Sequence, residues 1–131
     1  MRIILADPHE GPLLGVSEAI KNEPELELVG AVTDAAGLLE LANRQPVDVI
    51  LLDKELPGMD ISDIISRLHE LTPKPNVITM SCELQDSRKM LRAGADAYVS
   101  KGDEPDWLLE ILRKFEKHSN PSNSSPIVDP S

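Results

Sequence analysis

Five times along this chain a short apolar run gives way to a stretch with helical spacing, and that alternation restricts the fold more than any other feature. Arg2–Ala6 reads as a strand, and Leu13–Asn22 puts Leu13, Val16, Ala19 and Ile20 on one helical face. Glu27–Val32 is a half-polar strand suited to a position near a sheet edge, and Asp34 is placed to cap a helix over Ala35–Arg44. Val47–Leu52 is an apolar run broken only by Asp48, as expected of a strand buried on both faces. Ile61, Ile64, Ile65 and Leu68 follow the i, i+3, i+4, i+7 rule. Val77–Ser81 is a fourth strand, and the helix from Leu84 to Ala93 ends at Gly94. Ala97–Ser100 is the fifth strand. Pro105 opens a last helix whose stripe is Leu108, Ile111, Leu112 and Phe115. Strands alternating with helices at this density mean βαβ units, and right-handed crossovers then give a parallel sheet covered on both faces.

The alternation stops before the end of the chain. From Ser119 to Ser131, ten of thirteen residues are Ser, Asn or Pro, which leaves no apolar face to offset ordering entropy. The expected division is therefore one folded domain over residues 1–117 and a flexible tail or linker stub over 118–131. Thirteen Lys and Arg stand against 23 Asp and Glu, a net charge of −10. That balance argues against nucleic-acid contact by this segment and against an anionic membrane surface. One cysteine, Cys82, excludes an internal disulfide and suits a reducing, cytoplasmic compartment. No apolar run approaches the length of a membrane span, and the N-terminal one is too short for a signal peptide.

In open parallel sheets, ligands sit outside the carboxyl ends of the strands. Here those ends carry Asp7, Asp53, Ser81-Cys82 and Ser100-Lys101. If the first and third strands are neighbours, Asp7 and Asp53 lie about 5 Å apart. Two carboxylates that close repel unless a proton or cation sits between them. A hard cation such as Mg²⁺ suits oxygen ligands. Lys101 adds a point charge toward a bound anion. A carboxylate beside a metal and a lysine can attack phosphorus to form an aspartyl phosphate.

Val47-Asp48-Val49-Ile50-Leu51-Leu52-Asp53 with Leu56-Pro57-Gly58-Met59-Asp60 resembles the phosphoacceptor segment of response-regulator receiver domains. Ala93-Gly94-Ala95-Asp96-Ala97-Tyr98-Val99-Ser100-Lys101 is similar to the segment leading to that family's lysine. The opening Ile4-Leu5-Ala6-Asp7-Pro8-His9 looks most like members that precede a LuxR-type helix-turn-helix. The resemblance implies a flavodoxin-like, doubly wound α/β fold with five parallel strands in the order 2-1-3-4-5 and five helices. It implies that Asp53 is the phosphoacceptor, that Lys101 contacts the phosphoryl group, that Ser81 is the switch hydroxyl and that Tyr98 is the aromatic that follows it. Asp7, Asp53 and the backbone carbonyl of Glu55 are the implied Mg²⁺ ligands. The family's second acid is missing, because Pro8 stands in its place, so the implied Mg²⁺ site is weak or lost. The implied partners are a histidine kinase and a DNA-binding output domain or partner protein, with homodimerisation open. The domain would be no enzyme beyond assisting its own phosphorylation and dephosphorylation.

Two other functions compete with that one. A phosphorylation-independent pseudo-receiver is favoured by Pro8 and opposed by Asp53, Ser81 and Lys101. A flavin protein or phosphatase on the same fold lacks a Gly- and Ser/Thr-rich phosphate cradle in Asp7-Pro8-His9-Glu10-Gly11. Among single residues, His9 reads as a polar loop residue in preference to a metal ligand, and Cys82 as a small space-filler beside the site in preference to a redox-reactive thiol.

Overall fold

The computed structural model describes residues 1–100 and 110–115 of the chain. Strands β1 (Arg2–Ala6), β2 (Glu27–Val32), β3 (Val49–Asp53), β4 (Asn76–Ser81) and β5 (Ala97–Ser100) form one parallel sheet in the order β2-β1-β3-β4-β5. Helices α1 (Glu10–Lys21), α2 (Ala35–Arg44), α3 (Ile61–His69) and α4 (Ser87–Arg92) connect them, and residues 110–115 are helical after β5.

The period-2 alternation of the strands separates two apolar layers. Ile4, Ala6, Ile50, Leu52 and Val77 face α2, α3 and α4, where Leu38, Ile64, Ile65, Leu68 and Met90 complete one core. Ile3, Leu5, Val49, Leu51, Ile78 and Met80 face the other way and pack with Val16 and Ile20 of α1 and Leu112. β3 is buried along its whole length, which is why it reads as an unbroken apolar run. β2 is half-exposed and lies at the sheet edge.

Several boundaries differ from the expected ones. β3 starts at Val49 instead of Val47 and includes Asp53. The Asp48 carboxylate accepts the Arg2 N–H at 2.7 Å and so takes part of the ladder's work, while the Lys54 N–H donates to Met80 O and carries pairing past Asp53. α1 begins at Glu10, one turn before Leu13. Gly11 and Pro12 suggest a loop in sequence, but a first-turn N–H has no helical partner to lose, so proline costs little there. The expected helix over Leu84–Ala93 opens instead as a 3₁₀ turn, Leu84–Asp86, and becomes α-helical only from Ser87. Asp34 caps α2 as expected, accepting from Gly37 N at 2.7 Å. Pro105, Leu108, Lys101 and the tail 118–131 lie outside the described residues. No helix among the described residues is long and apolar enough to cross a membrane.

Candidate functional site

The strand order places the change of winding direction between β1 and β3, where ligands bind in open α/β sheets. Asp7 follows β1 and remains tied to the sheet through its N–H to Val32 O at 3.0 Å. Asp53 ends β3. Both acids are buried, at 0% and 2% exposure, and a buried acid must have polar or cationic company. Asp53 Oδ1 accepts the Glu55 N–H at 2.7 Å, which folds the β3–α3 loop back over the strand end. Gly58 holds a left-handed backbone conformation (φ 108°), and Pro57 O next to it receives the Ala35 N–H at 2.9 Å.

A third member joins the acids. His9 occupies the N-cap position of α1 without using its side chain as a cap. Its N–H donates to Asp7 Oδ1 at 2.9 Å, and its ring Nδ1 lies 2.8 Å from the same oxygen and 3.7 Å from Asp53 Oδ2. Its Nε2 meets Glu55 Oε1 at 2.9 Å. One ligand atom from each of Asp7, His9 and Asp53 fits within 4.8 Å of the others. The expectation that His9 is only a polar loop residue is therefore incomplete. The expected β1–β3 pairing already puts His9, two residues after Asp7, near Asp53; what the sequence does not carry is the ring orientation that sets Nδ1 on the two acids and Nε2 on Glu55.

Beside this cluster lies a second one. Ser81 ends β4 and is buried at 2% exposure. Its Oγ donates to Asp86 Oδ2 at 2.7 Å and accepts the Glu83 N–H at 3.0 Å. The Lys54 ammonium donates to Glu83 Oε1 at 3.1 Å and also pairs with Asp86 Oδ2. Hydrogen bonds from Lys54 and then Ser81 hold the Asp86 carboxyl below its ordinary range. The same pair, Asp86 foremost and then Glu83, holds the Lys54 ammonium above its ordinary value. Tyr98 on β5 is half-buried, and its hydroxyl donates to Glu83 O. Lys54, Glu83 and Asp86 carry no motif, so sequence reading missed them.

The two clusters share a cleft of about 300 Å³ lined by His9, Pro12, Asp53, Lys54, Glu55, Ser81, Cys82 and Glu83. Cys82 is exposed on this wall instead of filling space within it. The structure thus brings Asp7, Asp53, Glu55 and Ser81 to one rim, with Tyr98 joined through Glu83. Lys101, expected here, lies outside the described residues.

Over residues 3–113 the sequence matches the response regulator receiver domain family. The chain belongs to that family. It is 33% identical over 120 residues to the nitrate/nitrite response regulator protein NarP of Escherichia coli K12, covering 90% of this chain and 56% of NarP. Against NarL of the same strain it is 33% identical over 114 residues, covering 86% and 53%. The chain spans about half the length of these curated relatives. The crystal structure of a LuxR-family two-component response regulator from Aurantimonas sp. SI85-9A1 matches with a TM-score of 0.76 at 23% identity. That match covers 88% of this chain and 84% of the other and shows the shared fold. The receiver fold and strand order expected from the sequence are those observed.

Proposed function

We propose that this chain is the phosphoacceptor module of a two-component response regulator, with Asp53 accepting a phosphoryl group from a histidine kinase. The observation that carries the reading is the placement of Asp53 at the end of a fully buried strand, opening on a cleft it shares with Ser81. An Asp53 carboxylate oxygen attacks the phosphorus of a phosphohistidine. The P–O bond forms as the P–N bond breaks, and the imidazole leaves with the electron pair. A divalent cation held by Asp7 and Asp53, with the Glu55 carbonyl, would neutralise the phosphoryl oxygens. Lys101 is assigned the remaining cationic contact.

The switch follows from the bonds Ser81 now makes. A phosphoryl group adds roughly −1.5 to −2 charges and strong acceptors. It competes with Asp86 for the Ser81 hydroxyl. Moving Ser81 toward Asp53 withdraws its oxygen from Glu83 N–H, and the Glu83 carbonyl holds Tyr98. Ser81 and Tyr98 are therefore coupled through one residue. The chain spans about half of its response-regulator relatives NarP and NarL, which leaves length there for an output domain, and the likeness of residues 4–9 to members that precede a LuxR-type helix-turn-helix supports transcription regulation through a DNA-binding one.

The test is Mg²⁺-dependent labelling with a small acyl phosphate, read by mass. The parent should gain one phosphoryl group and Asp53→Asn none, with its fold kept. Labelling undiminished in Asp53→Asn would overturn the assignment. One observation favours a second reading, a phosphorylation-independent interaction module: Pro8 supplies no carboxylate where the family's second acid stands. A parent that takes no label under any donor would select that reading.

A further inference from the structure

We propose that Asp86 is a positioning residue that latches the switch: held in place by Lys54, its carboxylate takes the Ser81 proton in the unphosphorylated protein and thereby sets how readily Asp53 is phosphorylated. The inference rests on the phosphoacceptor reading for what the latch controls, while the latch itself consists of bonds present before any phosphate arrives. A hydroxyl has one proton to donate. That of Ser81 goes to Asp86 Oδ2 at 2.7 Å, so a phosphoryl group on Asp53 gains it only when Asp86 gives it up. Lys54 donates to the same oxygen and holds the carboxyl in its ionised form, the stronger acceptor.

The backbone builds this latch from three directions. Asp53 stands opposite Met80 in the β3–β4 register, and the Lys54 N–H donates to Met80 O at 3.0 Å, so Lys54 is fixed level with Ser81 on the adjacent strand. The 3₁₀ turn Leu84–Asp86 brings Asp86 back within reach of Ser81, and there it is buried at 7% exposure. Asp86 also stands at the N-cap position of α4, yet it makes no capping bond. Aspartate is a favoured cap, so α4 forgoes one and the carboxylate is committed to Lys54 and Ser81 instead. Because a phosphoryl group that needs the Ser81 proton favours the released state, a chain already released should be phosphorylated more readily.

The test compares the full chain as parent, Asp86→Ala, Ser81→Ala and the double variant, with circular dichroism to check folding. Acyl-phosphate labelling of Asp53 in Mg²⁺ is followed by mass. Removing a charge-assisted hydrogen bond that opposes the switch should speed labelling about tenfold in Asp86→Ala. In the Ser81→Ala background the same change should alter the rate less than twofold, because Asp86 acts through that hydroxyl. Tyr98 is the one tyrosine of the chain, so ring-¹³C tyrosine gives a single signal, joined to Ser81 through Glu83. With no phosphate donor present, that signal should move between parent and Asp86→Ala and coincide in Ser81→Ala and the double variant. Should Asp86→Ala not fold, Asp86→Asn takes its place, and labelling should then speed up at least threefold. A folded Asp86 variant that labels no faster than the parent, or gains as much without Ser81, overturns the proposal, and so does a Tyr98 signal that does not move. Label absent from every chain while the Ser81-dependent Tyr98 shift is present strikes the phosphoacceptor reading alone.

Discussion

Replacing Pro8 by aspartate should do two opposed things to this protein. Pro8 is half-buried between Asp7, which is fully buried, and His9. Consecutive Cα atoms are ~3.8 Å apart, so a carboxylate at this position can come within roughly 5 Å of Asp7 and Asp53. Two unit charges at that separation interact by about 3 kcal/mol at an effective dielectric of 20. Solvent at the rim lowers this to about 1 kcal/mol per pair. Two like-charge pairs then cost the metal-free protein about 2 kcal/mol, a fall in Tm of roughly 6–10 °C for a domain of this size. A bound divalent cation inverts the sign. The new carboxylate attracts it, and after desolvation a net gain of about 1–3 kcal/mol remains, or roughly 5- to 150-fold in Mg²⁺ affinity. Thermal unfolding in chelator and in Mg²⁺, with calorimetric Mg²⁺ titration, reads both effects. Pro8→Asn isolates the backbone contribution, since losing proline also loosens the unfolded chain. If Pro8→Asp is as stable as Pro8→Asn in chelator and its Mg²⁺ affinity moves by less than about threefold, the charge argument is wrong.

Three further outcomes follow from other parts of the fold. The Asp86 carboxyl is held low by Lys54 and Ser81, so its ionised form stabilises the fold above the ordinary carboxylate range. That stability disappears as pH falls through the lowered folded-state value. The Tm gap between the parent and Lys54→Met should therefore be widest at neutral pH and close in acid, and a gap constant with pH would refute the pairing. Gly58→Ala should cost about 1–2 kcal/mol in urea unfolding, because it forces a left-handed conformation on a residue with a side chain and brings its Cβ within 3.3 Å of Ala35 Cβ. Leu51→Ala, at a fully buried position between Leu5 and Ile78, should cost about 3–5 kcal/mol by the same measurement.

What the sequence made legible was whatever a local period encodes. β1, β2 and α2 have the bounds their patterns predict, because in each the apolar face, the cap and the terminus agree. Two of the misplaced boundaries are those where a side chain replaced a backbone partner: Asp48 at the head of β3, and Asp86 ahead of α4. Asp86 is the instructive residue. In sequence, Asp86 just before Ser87 could be a helix cap, yet it makes no capping bond. Its carboxylate is taken by Lys54, 32 residues earlier, and by Ser81 at the end of the adjacent strand. Nothing in a one-dimensional pattern ranks those competing partners, because the choice depends on which strand ends become neighbours. For His9 the strand pairing is expected from sequence, but not the ring orientation that brings Nδ1 within 3.7 Å of Asp53 and Nε2 onto Glu55. Sequence patterns therefore located the rim and its acids. The hydrogen-bond economy around them, which determines what Ser81 must give up in order to move, is a property of the assembled sheet.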